Sequence, residues 1–275
     1  MQSELNEKKA LAGAEKLKGM LRSHQSAVIA FSGGVDSSLL LSAAVAVMGP
    51  KMVLAVTFNT PLNLQSEIEG AAQLTAALKV EHRVIDIDPC SESEFTANPP
   101  ERCYICKRLL FGPLVKLAED EGFKVVLEGS NADDLDDYRP GLRAVKELGA
   151  RSPLLEAGLG KAEIRFLSRQ RDLPTWDKPS AACLASRIPY GEEITGDKLK
   201  QVAAAEDFLR SLGLEGNLRV RRHGSLARIE VDEKAFSAVT ARHGEIREKL
   251  KELGFTYVTL DLCGFRSGSL NVEPK

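Results

Sequence analysis

The sequence predicts an α/β protein: a parallel-sheet domain followed by a smaller C-terminal α+β domain. Three observations carry that expectation. Apolar runs of strand length alternate with helical stretches through the first half, a spacing that demands parallel pairing through crossover helices. A glycine turn, Phe31-Ser32-Gly33-Gly34-Val35-Asp36-Ser37-Ser38, joins the first of these runs to its helix. The short, proline-marked residues 173–179 then precede a stretch whose strands come as a hairpin.

Taken in order, Glu4 to Leu21 sets Leu5, Ala12, Leu17 and Leu21 on one side of a helix. Ala27-Val28-Ile29-Ala30 is the first strand, and Leu39 to Val47 extends the helix that the glycine turn opens. Met52 to Phe58 reads as a second buried strand, Leu62 to Leu78 as a helix, and Glu81 to Ile87 as a third strand. Residues 88–102 are irregular, with Pro89, Pro99 and Pro100, and Lys107 to Gly122 is helical. Lys124 to Glu128 forms the fourth strand. Leu154-Leu155-Glu156 and a helix from Lys161 to Arg171 complete a first domain placed at residues 1–175. In the second, residues 176–275, a helix spans Ile194 to Gly213. Leu218–His223 and Leu226–Val231 then pair across Gly224-Ser225. A helix over Glu233–Leu253 and a strand over Tyr257–Leu262 end the chain.

Composition narrows the function. With 275 residues, 43% of them hydrophobic, the chain can bury a full core without help from staples. A formal net charge of -2 supplies no general attraction for nucleic acid. No run of eighteen apolar residues offers a membrane span, and charges throughout Met1 to Ser23 argue against a signal peptide, so a cytoplasmic protein is expected. Five cysteines, an odd number, do not suggest a disulfide framework; the pair Cys103-x-x-Cys106 suggests metal or redox chemistry.

The glycine turn reads as an anion site. Two glycines allow a backbone path that a β-carbon would block, while Ser37, Ser38 and the free amides of the helix start face whatever occupies the turn. The Walker pattern is absent and the turn contains no lysine, which argues against a kinase or motor ATPase. The plain alternative is an ordinary strand-to-helix turn.

Other candidates are weaker taken singly. Cys103 and Cys106 form half a metal site, or two half-buried thiols, and Cys183, among small residues, is a plausible third donor. Asp133, Asp134, Asp136 and Asp137, with Glu128, follow a strand end and suit Mg²⁺ on a triphosphate, or form a solvated loop. Glu206 lies on the apolar stripe of its helix with Leu199, Val202 and Leu209, which calls for a cation partner unless it snorkels. Strict alternation puts Arg219, Arg221 and His223 on one face of the hairpin's first strand and Arg228 with Glu230 on one face of the second, as ion pairs or as an anion site.

The pattern Ser32-Gly33-Gly34-x-Asp36-Ser37-Ser38 resembles the PP-loop of ATP pyrophosphatases, which open ATP between its α and β phosphates. Together with Asp137-Tyr138-Arg139-Pro140-Gly141, residues 180–191, Arg219-Val220-Arg221 and the ending 257–268, the chain resembles LarE-type sulfur transferases over nearly its whole length. The resemblance implies the adenine nucleotide alpha-hydrolase-like fold. It also implies adenylylation of a carboxylate of a pyridinium dicarboxylate mononucleotide, and its conversion to a thiocarboxylate for the nickel-pincer cofactor of lactate racemase. It assigns ATP and Mg²⁺ to Ser32, Gly33, Gly34, Asp36, Ser37 and Ser38, with Gly129 beside them, and counts Asp36 and the three cysteines as catalytic. It assigns the substrate's phosphate and carboxylate to Arg187, Arg219 and Arg221, and a divalent metal to Glu206 with Glu230.

Two sulfur sources occur in such proteins. In one, a cysteine sacrifices its own sulfur; that cysteine aligns with Ala182, one residue before Cys183. In the other, three cysteines, here Cys103, Cys106 and Cys183, hold a [4Fe–4S] cluster whose fourth iron carries a hydrosulfide. The second is expected here, with Cys183 as sacrificial donor kept as the alternative, as are a tRNA thiolase and a non-catalytic ATP-binding module with a zinc site. A sulfide or other sulfur donor is an expected partner, and nucleic acid and membrane are not. A homo-oligomer, by resemblance a hexamer, completes the expectation.

Overall fold

The computed structural model describes residues 2–63, 65–135, 139–179, 183–266 and 268–270. It divides into two units: residues 1–60, 64–88 and 101–178, and residues 61–63, 89–100 and 179–275. Two loops of the first half, each opening on a proline, therefore belong with the C-terminal residues. A single cut near residue 175 does not describe that.

In the first unit, β-strands too apolar to face water form the middle of a sheet, with the polar, part-exposed residues 81–86 at one edge. Helix α1 (Gln2–Ser23) leads to β1 (Ala27–Ala30), α2 (Val35–Met48), β2 (Val53–Asn59), α3 (Gln65–Ala77) and β3 (Glu81–Asp86). The chain visits the second unit through the short α4 (Ser93–Thr96) and returns as α5 (Arg102–Asp120), β4 (Val125–Leu127), α6 (Pro140–Glu147), α7 (Pro153–Glu156) and α8 (Lys161–Gln170). All strands are parallel, in the order β3-β2-β1-β4. Alternation along them feeds two cores. Ala27, Ile29, Val53 and Ala55 pack with Leu17, Leu21, Leu39, Leu40 and Ile164. Val28, Leu54 and Val56 pack on the other face with Phe111, Leu114 and Val145. Each fully buried leucine or isoleucine of these layers contributes about 2 kcal/mol.

Helix α6 was not foreseen in the sequence. Pro140 starts it at a position where no amide donor is needed, and Ala144 and Val145 bury its inner face. Residues 88–102 are not wholly irregular either. Phe95 of α4 is buried, and Asn98, in the left-handed region at φ 56°, donates its side-chain amide to the Pro189 and Glu192 carbonyls at 2.7 and 2.8 Å.

The second unit adds α9 (Gly196–Ser211), the hairpin β5 (Leu218–His223) and β6 (Leu226–Val231), α10 (Phe236–Ala241), α11 (His243–Glu252) and β7 (Tyr257–Leu260). Thr195 caps α9 by accepting from the Lys198 amide. Strand β7 lies parallel to β6, giving the order β5-β6-β7. The helix expected over Glu233–Leu253 breaks at Arg242, just before Gly244, a poor helix former. Val202, Leu209, Leu218, Val220, Ile229, Ile246 and Leu250 close the core.

Candidate functional site

The glycine turn lies at the carboxyl end of β1, between β2 and β4, where parallel sheets bind ligands. Gly33 takes φ +68°, and a β-carbon there would stand 3.1 Å from the Glu67 carbonyl oxygen. A side chain is excluded by conformation and by space. The Ser32 and Ser37 hydroxyls lie 3.1 Å apart, and Ser37 donates to the Gly34 carbonyl at 3.2 Å. Helix geometry leaves the Val35, Asp36 and Ser37 amides without carbonyls behind them, so the turn presents donors to an anion. Ser38 Oγ is fully buried with no hydrogen-bond partner. From β4, Gly129 comes so near that a β-carbon would lie 3.0 Å from the Ser37 nitrogen.

Asp36 is not solitary. Lys161 Nζ sits 2.5 Å from its Oδ2, and Asn131 Nδ2 donates to its Oδ1 at 3.3 Å. Lys178 Nζ donates to the Gly33 carbonyl at 3.1 Å. These three partners were missed in the sequence because each is remote from the turn and no local pattern marks it.

The acidic run has structural duties. Asp133 accepts from the Lys161 amide at 2.8 Å, and Asp134 accepts from the Asn131 amide and pairs with Arg139 at 3.0 Å. Asp136 and Asp137 lie outside the described residues, as do Ser180, Ala181 and Ala182. Glu128 is buried. Burial opposes its ionisation, but Lys107 and the hydroxyls of Ser152 and Ser130 outweigh it, so its carboxyl titrates below the usual range.

Cys103 and Cys106 lie in the first turns of α5, three residues apart and so on one side of the helix. Cys103 is exposed and Cys106 half-buried; no cysteine of the chain is in a disulfide. Helix α6 backs the pair closely: a β-carbon on Gly141 would come within 3.4 Å of the Cys103 carbonyl oxygen. Tyr104, between the thiols, donates to Glu147 at 2.6 Å and carries the Arg143 guanidinium over its ring at 4.1 Å. Two thiols so placed, soft donors on one helix side, suit two ligands of an iron centre. Among the described residues, no three His, Cys, Asp or Glu side chains converge as a metal site. Cys183, exposed, immediately precedes the short helical turn Leu184–Arg187 of the second unit.

That second unit holds a buried charge cluster. Arg187 grips Glu206 with two nitrogens, at 2.7 and 2.9 Å, and donates to the Ser186 hydroxyl and the Cys183 carbonyl. The Val220 amide donates to Glu206 Oε1 at 3.0 Å. Arg221 binds Glu230 through Nε and Nη2, and the Ser186 carbonyl through Nη1. Arg228 and Ser269 occupy the other Glu230 oxygen. Glu206 and Glu230 are therefore consumed by guanidinium and hydroxyl donors. Their expected role as a divalent-metal pair does not fit this arrangement, which satisfies each carboxylate fully.

Register puts Arg219 opposite Glu230 and Arg221 opposite Arg228, so the hairpin's polar face is the predicted one, but it is buried. Arg219 lies 5.3 Å from the Phe265 ring and donates to the Leu218 carbonyl. Burial, then the neighbouring Arg187, lower its pKa to about 10. Arg187, Arg219 and Arg221 are thus buried together with Glu206 and Glu230.

Similarity to known proteins agrees with these features. The NAD synthase family model matches residues 15–107, which include the glycine turn. An uncharacterized protein of Synechocystis is 43% identical over 259 residues, 94% of this chain and 96% of that one. The pyridinium-3,5-bisthiocarboxylic acid mononucleotide synthase of Lactiplantibacillus plantarum is 39% identical over 93% of this chain and 92% of its own. An uncharacterized protein of Methanocaldococcus jannaschii is 33% identical over 92% and 96%, respectively. Phosphate turn, parallel sheet and near full-length similarity together place the chain in the LarE-type family of ATP-dependent sulfur transferases, within the PP-loop ATP pyrophosphatases.

Proposed function

We propose that this protein adenylylates a carboxylate of pyridinium-3,5-biscarboxylic acid mononucleotide with ATP and converts it to a thiocarboxylate, a step toward the nickel-pincer cofactor of lactate racemase. One observation carries the reading: similarity across 93% of the chain to a relative named as the bisthiocarboxylic acid synthase. The turn from Phe31 to Ser38 supports it, since a shallow amide cradle with an aspartate suits a nucleotide phosphate with Mg²⁺ better than a buried apolar ligand.

The chain's own residues divide the work. Gly33, Gly34 and the first amides of α2 bind and orient the phosphates, and Asp36 is the carboxylate that would meet Mg²⁺. Reaction by this route needs in-line placement and charge neutralisation more than a tuned base. In the second unit, Arg187, Arg219 and Arg221 are the cations assigned to the anionic mononucleotide. Arg187 and Arg221 are held by Glu206 and Glu230, and Arg219 lies beside them on β5.

Cys103, Cys106 and Cys183 would hold a [4Fe–4S] cluster, which supplies reactive sulfur when bound. A sulfide or similar donor would replenish it, in a cytoplasmic homo-oligomer acting without nucleic acid or membrane. Among the described residues no helix is long and apolar enough to cross a membrane. The test is pyrophosphate release from ATP with the dicarboxylate mononucleotide, run beside mass spectrometry of the intact chain. Substrate-dependent pyrophosphate and an unchanged chain mass support the reading. ATP binding with no substrate-dependent pyrophosphate sinks it, and loss of one sulfur mass at Cys183 assigns the sacrificial route.

A further inference from the structure

An edge strand of the first sheet reaches the start of the glycine turn through a relay of side chains. Strand β1 ends at Ala30, and the Phe31 amide still donates to the Val56 carbonyl at 2.7 Å. The Phe31 carbonyl accepts from a side chain, the hydroxyl of Thr57 on β2, at 2.7 Å. Thr57 is 2% exposed. His82 Nε2 lies 2.8 Å from the same hydroxyl. Its strand, β3, is at the sheet's edge, where His82 pairs with Ala55, a residue on the same face of β2 as Thr57. A carbonyl only accepts and a hydroxyl carries one proton, so Thr57 donates to Phe31 and accepts from His82. The neutral imidazole therefore carries its hydrogen on Nε2. The His82 ring also meets the Phe31 ring edge-on, with centroids 6.4 Å apart and planes at 77°. Phe31 is thus held both at its carbonyl and at its ring.

We propose that Thr57 and His82 are positioning residues for the nucleotide, acting through the peptide that joins Phe31 to Ser32. The inference rests on the reading that the turn holds ATP. That peptide is trans and planar, so fixing the Phe31 carbonyl fixes the Ser32 amide on its opposite side. Gly33 and Gly34 follow, the two residues with the most backbone freedom, and an anchor just before them sets the direction in which the turn leaves β1. Neither Thr57 nor His82 needs to touch the nucleotide. Their task is to keep a backbone donor aimed before the ligand arrives, which removes an ordering cost from binding.

Two measurements on the full chain test this. Nitrogen NMR of the labelled histidine side chains at about pH 8, where the ring is neutral, should show His82 as the Nε2–H tautomer. Calorimetric titration with ATP at fixed Mg²⁺ should show Thr57→Val about tenfold weaker and Thr57→Ser within about twofold of wild type, since serine restores the hydroxyl and valine only the shape. His82→Phe keeps a ring and loses the donor; it should weaken ATP about threefold, and His82→Gln should recover the loss. The double variant Thr57→Val/His82→Phe should be no worse than Thr57→Val, because His82 acts through the hydroxyl. Stoichiometry counts folded sites, so a residue that only stabilises the fold lowers the number of sites and leaves the affinity unchanged. Unchanged affinity in Thr57→Val, additive losses in the double variant, or an Nδ1–H tautomer overturns the proposal. A wild-type chain that binds no ATP overturns the nucleotide reading itself, an outcome read before any variant is compared.

Discussion

Replacing Glu206 with glutamine removes a charge and keeps the shape, in a place where charge is hard to spare. Glu206 is 1% exposed and Arg187 2%, and they meet through two nitrogen–oxygen contacts. Glutamine can still accept from the Val220 amide but leaves the Arg187 guanidinium uncompensated in the interior. Breaking one side of a buried pair costs about 3–5 kcal/mol. The neighbourhood makes the upper part of that range apt, since Glu206 also favours the charged form of Arg219, which Arg187 and burial oppose. The single tryptophan, Trp176, belongs to the first unit, so its fluorescence is the wrong reporter. Hydrogen exchange of peptides covering β5 and β6 reads the second unit directly, and their opening free energy should fall by about that amount. The double variant Arg187→Gln/Glu206→Gln should regain about 2 kcal/mol of the loss, because neither charge is left stranded. A loss below about 1 kcal/mol, or a double variant no better than the single, would show that the pair does not hold this unit in the way its geometry states.

Three further outcomes follow from the first unit. Gly129→Ala pushes a methyl against the Ser37 backbone at 3.0 Å and should weaken ATP binding about tenfold, whereas Gly112→Ala, mid-helix with nothing within 4 Å, should leave it unchanged; equal effects would refute the close approach. Burial holds the His82 imidazole below its usual value, so the unfolded chain takes up this proton first on acidification. Stability from the neutral ring is complete above about pH 6.5 and is lost as pH falls from there, and His82→Gln should flatten the decline in urea midpoint between about pH 7.5 and 5. Cys106→Ala should abolish iron binding after anaerobic reconstitution, measured as iron per chain, if the thiol pair on α5 is the cluster's anchor; retained iron would exclude it.

Much of the first sheet was legible because β1, β2 and β4 are apolar runs and β3, more polar, follows at the same strand–helix spacing: β1 matches its expected residues, and β2, β3 and β4 deviate by a residue or two at their ends. The glycine turn was legible because its chemistry is local. What surrounds it was not. Asn131, Lys161 and Lys178 are ordinary surface residue types, and only the path of the chain gives them a task. The second unit failed differently. Alternation located the arginines of β5 and the glutamate of β6 on one face, yet a polar face reads as solvated, and burial of Arg219, Arg221 and Glu230 is visible only once α9 and the turn before it are in place. Glu206 was rightly singled out as a carboxylate needing a cation; that the cation is Arg187 rather than a metal depended on a residue nineteen positions away. The break at Arg242 and the helix from Pro140 show the usual weakness of periodicity where segments are short.

The reach of the chain back to residues 31–38 has a kinetic meaning. The partners of this turn lie 95, 125 and 145 residues downstream. Closing loops of that length costs entropy before any contact repays it, so these connections form late. During synthesis the strand, turn and first helix emerge early, as a cradle of amides with its countercharges still unmade. The turn thus lacks all three of these partners until residue 178 has left the ribosome. A chain stopped short of α8 would keep the turn's sequence signature while lacking both lysines that tie it to the rest of the first unit.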